Sequence, residues 1–196
     1  MRTIRLLSLG VVLVLGKGFL LAKEKQPATY SIPLPPKPDF TSLDWIVGEW
    51  AGRTAGQELQ VDVRFSASYD LDQRFMILHE EVSFAATKTA PASKETSMGI
   101  LSASADSGFV LRWFSATGFI TRYHVSVNGA EISLNQEGGD NPPPGWLFRR
   151  LIQHPDPSQF IETVQVAPAN RPFFDYYVVT LRRVLPAKAG TANPGH

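Results

Sequence analysis

Cysteine is absent from the 196 residues. That single absence excludes disulfide scaffolds, thiolate metal sites, iron–sulfur clusters, cysteine nucleophiles and cysteine-linked lipid anchors. Charge is scarce: Asp, Glu, Lys and Arg make up 19% of the chain and nearly cancel to a formal +1. Nucleic-acid binders normally show a basic excess, so that partner class is set aside. Helical periodicity is almost missing, and the one long apolar run stands at residues 6–15. Against these gaps stand 43% hydrophobic residues with Phe 12, Tyr 5 and Trp 4, enough apolar surface for one real core. A mass of 21.6 kDa suits one compact domain with short extensions.

Arg2 and Arg5 precede the run at 6–15, which has the length of a signal-peptide core and falls short of a membrane span. The expected organisation is a signal peptide over 1–22, a linker over 23–38, a folded domain over 39–185 and a disordered tail over 186–196. An uncleaved N-terminal anchor is the alternative, since no small-x-small cleavage pattern is clean. Cleavage after Ala22 would remove three of the 19 basic residues (Arg2, Arg5, Lys17) and no acidic one. The exported chain would then carry 16 basic against 18 acidic residues, a formal −2. Five prolines within 23–38 favour an extended tether, and the tail lacks apolar periodicity.

Leu59, Val61, Val63 and Phe65 alternate strictly with polar neighbours, the period of a half-buried strand. Further β-rich runs follow over 74–84, 95–102, 109–115, 119–127, 131–136, 146–153, 159–166 and 173–184, and one precedes them at 45–53, each bounded by Gly, Pro, Asn or Asp. So many strands without crossover helices predict an all-β, antiparallel, up-and-down barrel of about 8–10 strands, whose closure removes exposed edges. Asn128-Gly129 predicts a two-residue turn pairing Val127 with Ala130 and setting Val125 opposite Ile132 and Tyr123 opposite Leu134, with Arg122 and His124 on the outer face. The hairpin around Thr117-Gly118 has two readings. A two-residue loop turns Arg112 inward, where it would need Glu80 or an anionic ligand as partner; a three-residue loop or bulge turns Trp113 inward instead. Burying an unpaired Arg is the costlier outcome, which favours Trp113.

Conventional catalytic patterns are missing. His79-Glu80-Glu81 lacks the second His of a zinc-protease helix, Asp70-x-Asp72 lacks the Gly and Glu of a calcium loop, and no Gly-x-Ser-x-Gly elbow exists. Neighbouring Glu80 and Glu81 point to opposite faces of a strand. No catalytic or metal-binding residue is assigned. The loop 138–145 reads as a mouth lid or as a plain connector.

The segment from Phe40 to Gly52, with Gly48-x-Trp50 on a first strand, resembles the start of a calycin barrel, the group of lipocalins, fatty-acid-binding proteins and nitrobindins. Leu71-Asp-Gln-Arg-Phe-Met76, Met98-Gly-Ile-Leu101 and Phe109-Val-Leu-Arg-Trp113 extend the likeness over about 39–184, closest to a bacterial calycin-like family of unknown function. The resemblance implies a short helical turn before the first strand. It also implies that Trp50 closes one barrel end beneath a basic residue of the last strand, Arg182 or Arg183, with Gly48 as a structural residue. The nitrobindin branch ligates haem through a histidine near its C-terminal strands. This chain departs from that pattern, because the strand at 173–184 has none and His154 precedes Pro155 in a turn. No cofactor is expected.

The functional expectation is an exported, monomeric, lipocalin-like protein holding a small apolar or amphipathic molecule inside the barrel, with no stable membrane insertion after signal cleavage. Phe65, Trp113, Tyr123, Val125 and Phe148 are the candidate lining residues, with Arg112 as a conditional anchor. The alternatives are a ligand-free structural or protein-interaction module of the cell envelope and, behind it, haem binding or an enzyme with a dispersed site.

Overall fold

The computed structural model of the protein describes residues 32–54, 59–104 and 108–185. The chain divides into a unit of residues 1–35 and a unit of residues 36–196. Of the first, only 32–35 are described, and they carry no regular secondary structure. The predicted signal peptide 1–22, linker residues 23–31 and tail 186–196 lie outside the described residues.

The alternation read at Leu59, Val61, Val63 and Phe65 becomes a strand from Val61, with Leu59 just before it, that buries Val61, Val63, Phe65 and Ala67 and turns Asp62, Arg64, Ser66 and Ser68 away from the core. Nine more strands behave similarly. In chain order they are β1 (Gly48–Arg53), β2 (Val61–Asp70), β3 (Phe75–Phe84), β4 (Ser93–Ala103), β5 (Phe109–Ser115), β6 (Ile120–Asn128), β7 (Glu131–Asp140), β8 (Leu147–Asp156), β9 (Gln159–Ala167) and β10 (Phe174–Arg183). Each pairs antiparallel with the next, and β1 pairs with β10, closing an all-β barrel. Closure gives every strand a paired neighbour on both sides, with the β7–β8 register ending at Asn135 while β7 runs on to Asp140.

A 3₁₀ turn, Thr41–Ile46, precedes β1 and sends Leu43 and Ile46 into the core. Phe40 goes with them, stacking on Phe109 with centroids 5.3 Å apart. Together they cap the barrel end where β1 begins and β10 ends. Trp45 therefore belongs to this turn, although its place beside Trp50 in sequence predicts one continuous strand.

One hairpin departs from expectation, and a second takes the favoured of its two readings. The β6–β7 turn centres on Gly129 and Ala130, with Asn128 opposite Glu131. Gly129 takes the first central position at φ +60° while Ala130 has no positive φ, so Gly129 alone supplies the left-handed residue that the turn requires. Val125 consequently faces Leu134 and Tyr123 faces Gln136. The slip totals two residues, so every side chain keeps its predicted face while its partner changes. In the β5–β6 hairpin, Ser115 N–H donates to the Phe119 carbonyl at 2.9 Å, leaving the three-residue loop 116–118. That odd count turns Trp113 and Leu111 inward. Arg112 is exposed and faces Arg122 across the strands, so its role as an inward anchor is overturned.

Candidate functional site

Three strands carry one charged residue each on an otherwise apolar inner stripe. On β3 the stripe is Met76, Leu78, Glu80, Val82, Phe84; on β9 it is Phe160, Glu162, Val164, Val166; on β8 Arg150 falls between Phe148 and Ile152. Isolated buried charges are costly, whereas charges that converge can pair. Here they converge. Arg150 Nη1 donates to Glu80 Oε1 and to Glu162 Oε1, and Nη2 donates to Glu80 Oε2, all at 2.8 Å. The Arg150 side chain is 11% exposed against 2% for Glu80 and 4% for Glu162. Its guanidinium also lies over the Trp113 ring, 4.4 Å from the centroid.

The electrostatics follow from this packing. Burial works against the charge on Arg150, but Glu80 and Glu162 outweigh it and hold the guanidinium well above its usual range. Burial pushes Glu162 up to about 7; Arg150 opposes the rise, and the charge of Glu80 and its hydrogen bond with Glu162 add to it. Tyr177 and Tyr123 stand beside the cluster, and burial raises both phenols, Tyr177 further because both carboxylates face it. The cluster is therefore close to neutral when Glu162 is protonated and carries one net negative charge when it is not.

This ionic layer divides the barrel interior. Toward the capped end lies an apolar void of about 40 Å³, walled by residues including Leu43, Ile46, Val125 and Phe65 with Arg150 and Glu162 above. Toward the other end opens a cavity of about 370 Å³, within the size range of small-molecule sites. Its floor holds Glu80 and Arg150, its walls Trp113, Tyr123, Phe148 and Tyr177, and its rim Trp146, Phe174 and Tyr176. The rim aromatics are 37 to 49% exposed, giving the entrance an apolar lip. Pro143, from the loop after β7, also lines this mouth.

Of the sequence candidates, the structure brings Trp113, Tyr123 and Phe148 together around the open cavity. Phe65 and Val125 also point inward but lie below the ionic layer, at the small void. Arg112 is outside. Sequence reasoning did not single out Arg150 and Glu162, and it named Glu80 only as a conditional partner for an inward Arg112. Their signal was present, since each is a lone charge at an inward position of an apolar alternation.

The capped end is held separately. Arg183, and not the outward Arg182, lies over Trp50 with its guanidinium 4.2 Å from the ring centroid. It donates to the carbonyls of Val47 at 2.8 Å and Trp45 at 2.7 Å, tying β10 to the segment that leads into β1. The Trp50 indole N–H donates to the Ile46 carbonyl at 2.8 Å. Gly48 adopts φ +124°, and a Cβ there would sit 2.7 Å from Arg183 Nη1.

A haem does not fit these residues. No histidine lines the open cavity. His154 lies near the capped end, its ring stacked on Trp45 with centroids 4.0 Å apart and its Nε2 buried without a partner. Among the described residues no group of three or more His, Asp or Glu is placed to hold a metal ion. Both buried carboxylates are engaged by Arg150.

No protein-family model and no curated protein matches the chain. Among solved structures, the crystal structure of Rv2717c from M. tuberculosis matches with a TM-score of 0.55 at 18% identity, covering 74% of this chain and 97% of that one. The two share the fold, an antiparallel β-barrel. At that identity the likeness speaks for the fold alone, and the ionic layer and the cavity above it are read from this chain's own residues.

Proposed function

We propose that the protein is an exported, monomeric carrier that holds one small hydrophobic or amphipathic molecule in the open half of its barrel. The observation behind this reading is the asymmetry of the interior. One end is packed by Phe40, Leu43, Ile46 and Trp50, while the other keeps a cavity of about 370 Å³ with aromatic walls and a polar floor. A barrel filled by its own side chains, as a purely structural module would be, has no need of such a space. Aromatic walls exclude water from a flat apolar guest, and a few polar groups at one end fix its orientation.

Among the described residues no helix is long and apolar enough to span a membrane. Export rests on the apolar run at 6–15 and its flanking arginines. The carrier reading is tested by solvent extraction of natively purified protein with mass spectrometry of the extract, together with titration by the neutral fluorophore N-phenylnaphthylamine. A stoichiometric extracted molecule, or saturable fluorophore binding, is expected. A clean extract with no fluorophore binding would leave the ligand-free module as the better account.

A further inference from the structure

We propose that the open cavity selects its guest by head group, accepting a hydrogen-bond donor that is neutral or cationic and rejecting a carboxylate. This inference rests on the carrier reading and adds the chemical class of the guest.

A carboxylate guest is held best by a deep cation with free donors, and among the described residues the one cation on the cavity floor is Arg150. Three of its donor bonds already go to Glu80 and Glu162, and one face of its guanidinium is covered by Trp113. An incoming carboxylate would have to approach Arg150 beside the two buried carboxylates that already hold it, Glu80 at 2% and Glu162 at 4% exposed, and would add a further negative charge to the cluster.

Acceptor capacity, by contrast, is left over. Each Glu80 oxygen takes one bond from Arg150, and a carboxylate offers about four acceptor sites. Glu95 adds a further negative group on the cavity lining. The Tyr123 and Tyr177 phenols remain protonated and uncharged, so they supply no positive charge. The one other cation at the cavity, Arg149, is drawn aside: its Nε donates to Gln165 at 2.7 Å and its guanidinium lies 4.4 Å from the Phe173 ring centroid. Hydroxyls of the lining can donate to any guest, but its charged groups present negative charge and spare acceptor sites, beneath aromatic walls that suit a flat apolar body.

The test is a matched set of three naphthalene probes that differ only in the head group: naphthylethylamine, naphthylethanol and naphthylacetate. Each is titrated into the wild-type protein at about pH 8, where the first is a cation and the third an anion, and binding is followed by tryptophan fluorescence or calorimetry. The amine or the alcohol is expected to bind at least about tenfold more tightly than the acetate. An acetate affinity within that factor of the better of the two, or above it, would overturn the head-group inference and leave the carrier reading standing. Failure of all three to bind would overturn the head-group inference, and the carrier reading falls with it only if the extract is clean and N-phenylnaphthylamine does not bind.

Discussion

Arg150 and Glu80, 70 positions apart in the chain, meet inside the barrel in a forked contact with both nitrogen–oxygen distances at 2.8 Å. Bidentate geometry of this kind is the strong form of the interaction, yet burying it removes three charges from water once Glu162 is included.

The cluster should therefore be fragile to partial removal and tolerant of full replacement. Arg150→Met, which strands two carboxylates, is expected to lower stability by about 3–5 kcal/mol. Replacing the trio together with Met at 150 and Leu at 80 and 162 should keep the stability of the wild type or exceed it. Urea unfolding of both variants checks this. A single variant as stable as the wild type would mean that the charges are not buried as described.

Stability should depend on pH through Glu162. The groups facing it are Glu80 from β3, Arg150 from β8 and Tyr177 from β10. Its folded pKa, pushed up to about 7, lies above the ordinary 4.5, so the folded state holds the proton more tightly than the unfolded state. The resulting stabilisation is complete below 4.5 and is lost as pH rises through about 7. Aspartates 39, 62, 72 and 156 are shifted down from 3.8, and their contributions fade at lower pH, outside this window. Urea midpoints measured between about pH 5 and 8 should fall with rising pH in the wild type, and the slope should flatten in Glu162→Gln.

At the capped end, Gly48→Ala places a side chain at φ +124° and drives it toward Arg183 Nη1. A cost of roughly 1–3 kcal/mol is expected from the backbone conformation alone. Because Arg183 stacks on Trp50, the near-ultraviolet circular dichroism of the folded variant should change as well. A variant with wild-type stability and spectrum would contradict the described packing.

The cavity can be filled while all three members of the ionic layer are kept. Ser97 lies opposite Glu80 on β4, is partly buried and lines the open cavity. Ser97→Phe should abolish N-phenylnaphthylamine binding while the melting temperature stays within a few degrees of the wild type. Retained binding would place the guest somewhere other than this cavity.

Much of the architecture was readable from alternation. Val61, Val63 and Phe65 announce β2, and ten runs of this kind become ten strands. Turn chemistry was less decisive, because both Asn128 and Gly129 tolerate positive φ, and either of two adjacent dipeptides can supply a two-residue turn. Inner and outer faces survived the slip because it displaced the register by an even number. Arg112 and Trp113 illustrate the opposite case, in which one residue of loop length decides which of two adjacent side chains is inside. The ionic cluster needs knowledge of which strands face one another across the barrel, since Glu80 and Arg150 are not on neighbouring strands. Only the presence of a lone charge on each apolar stripe could have flagged it.

The pairing of β1 with β10 joins the earliest strand to leave the ribosome to the last one. Until residue 183 has emerged, the nascent chain can form only an open ribbon with two bare flanks, each able to recruit a stranger's backbone. Assembly must then wait for the most distant contact in the molecule, a topology that folds slowly and rewards any factor that keeps those flanks apart in the meantime.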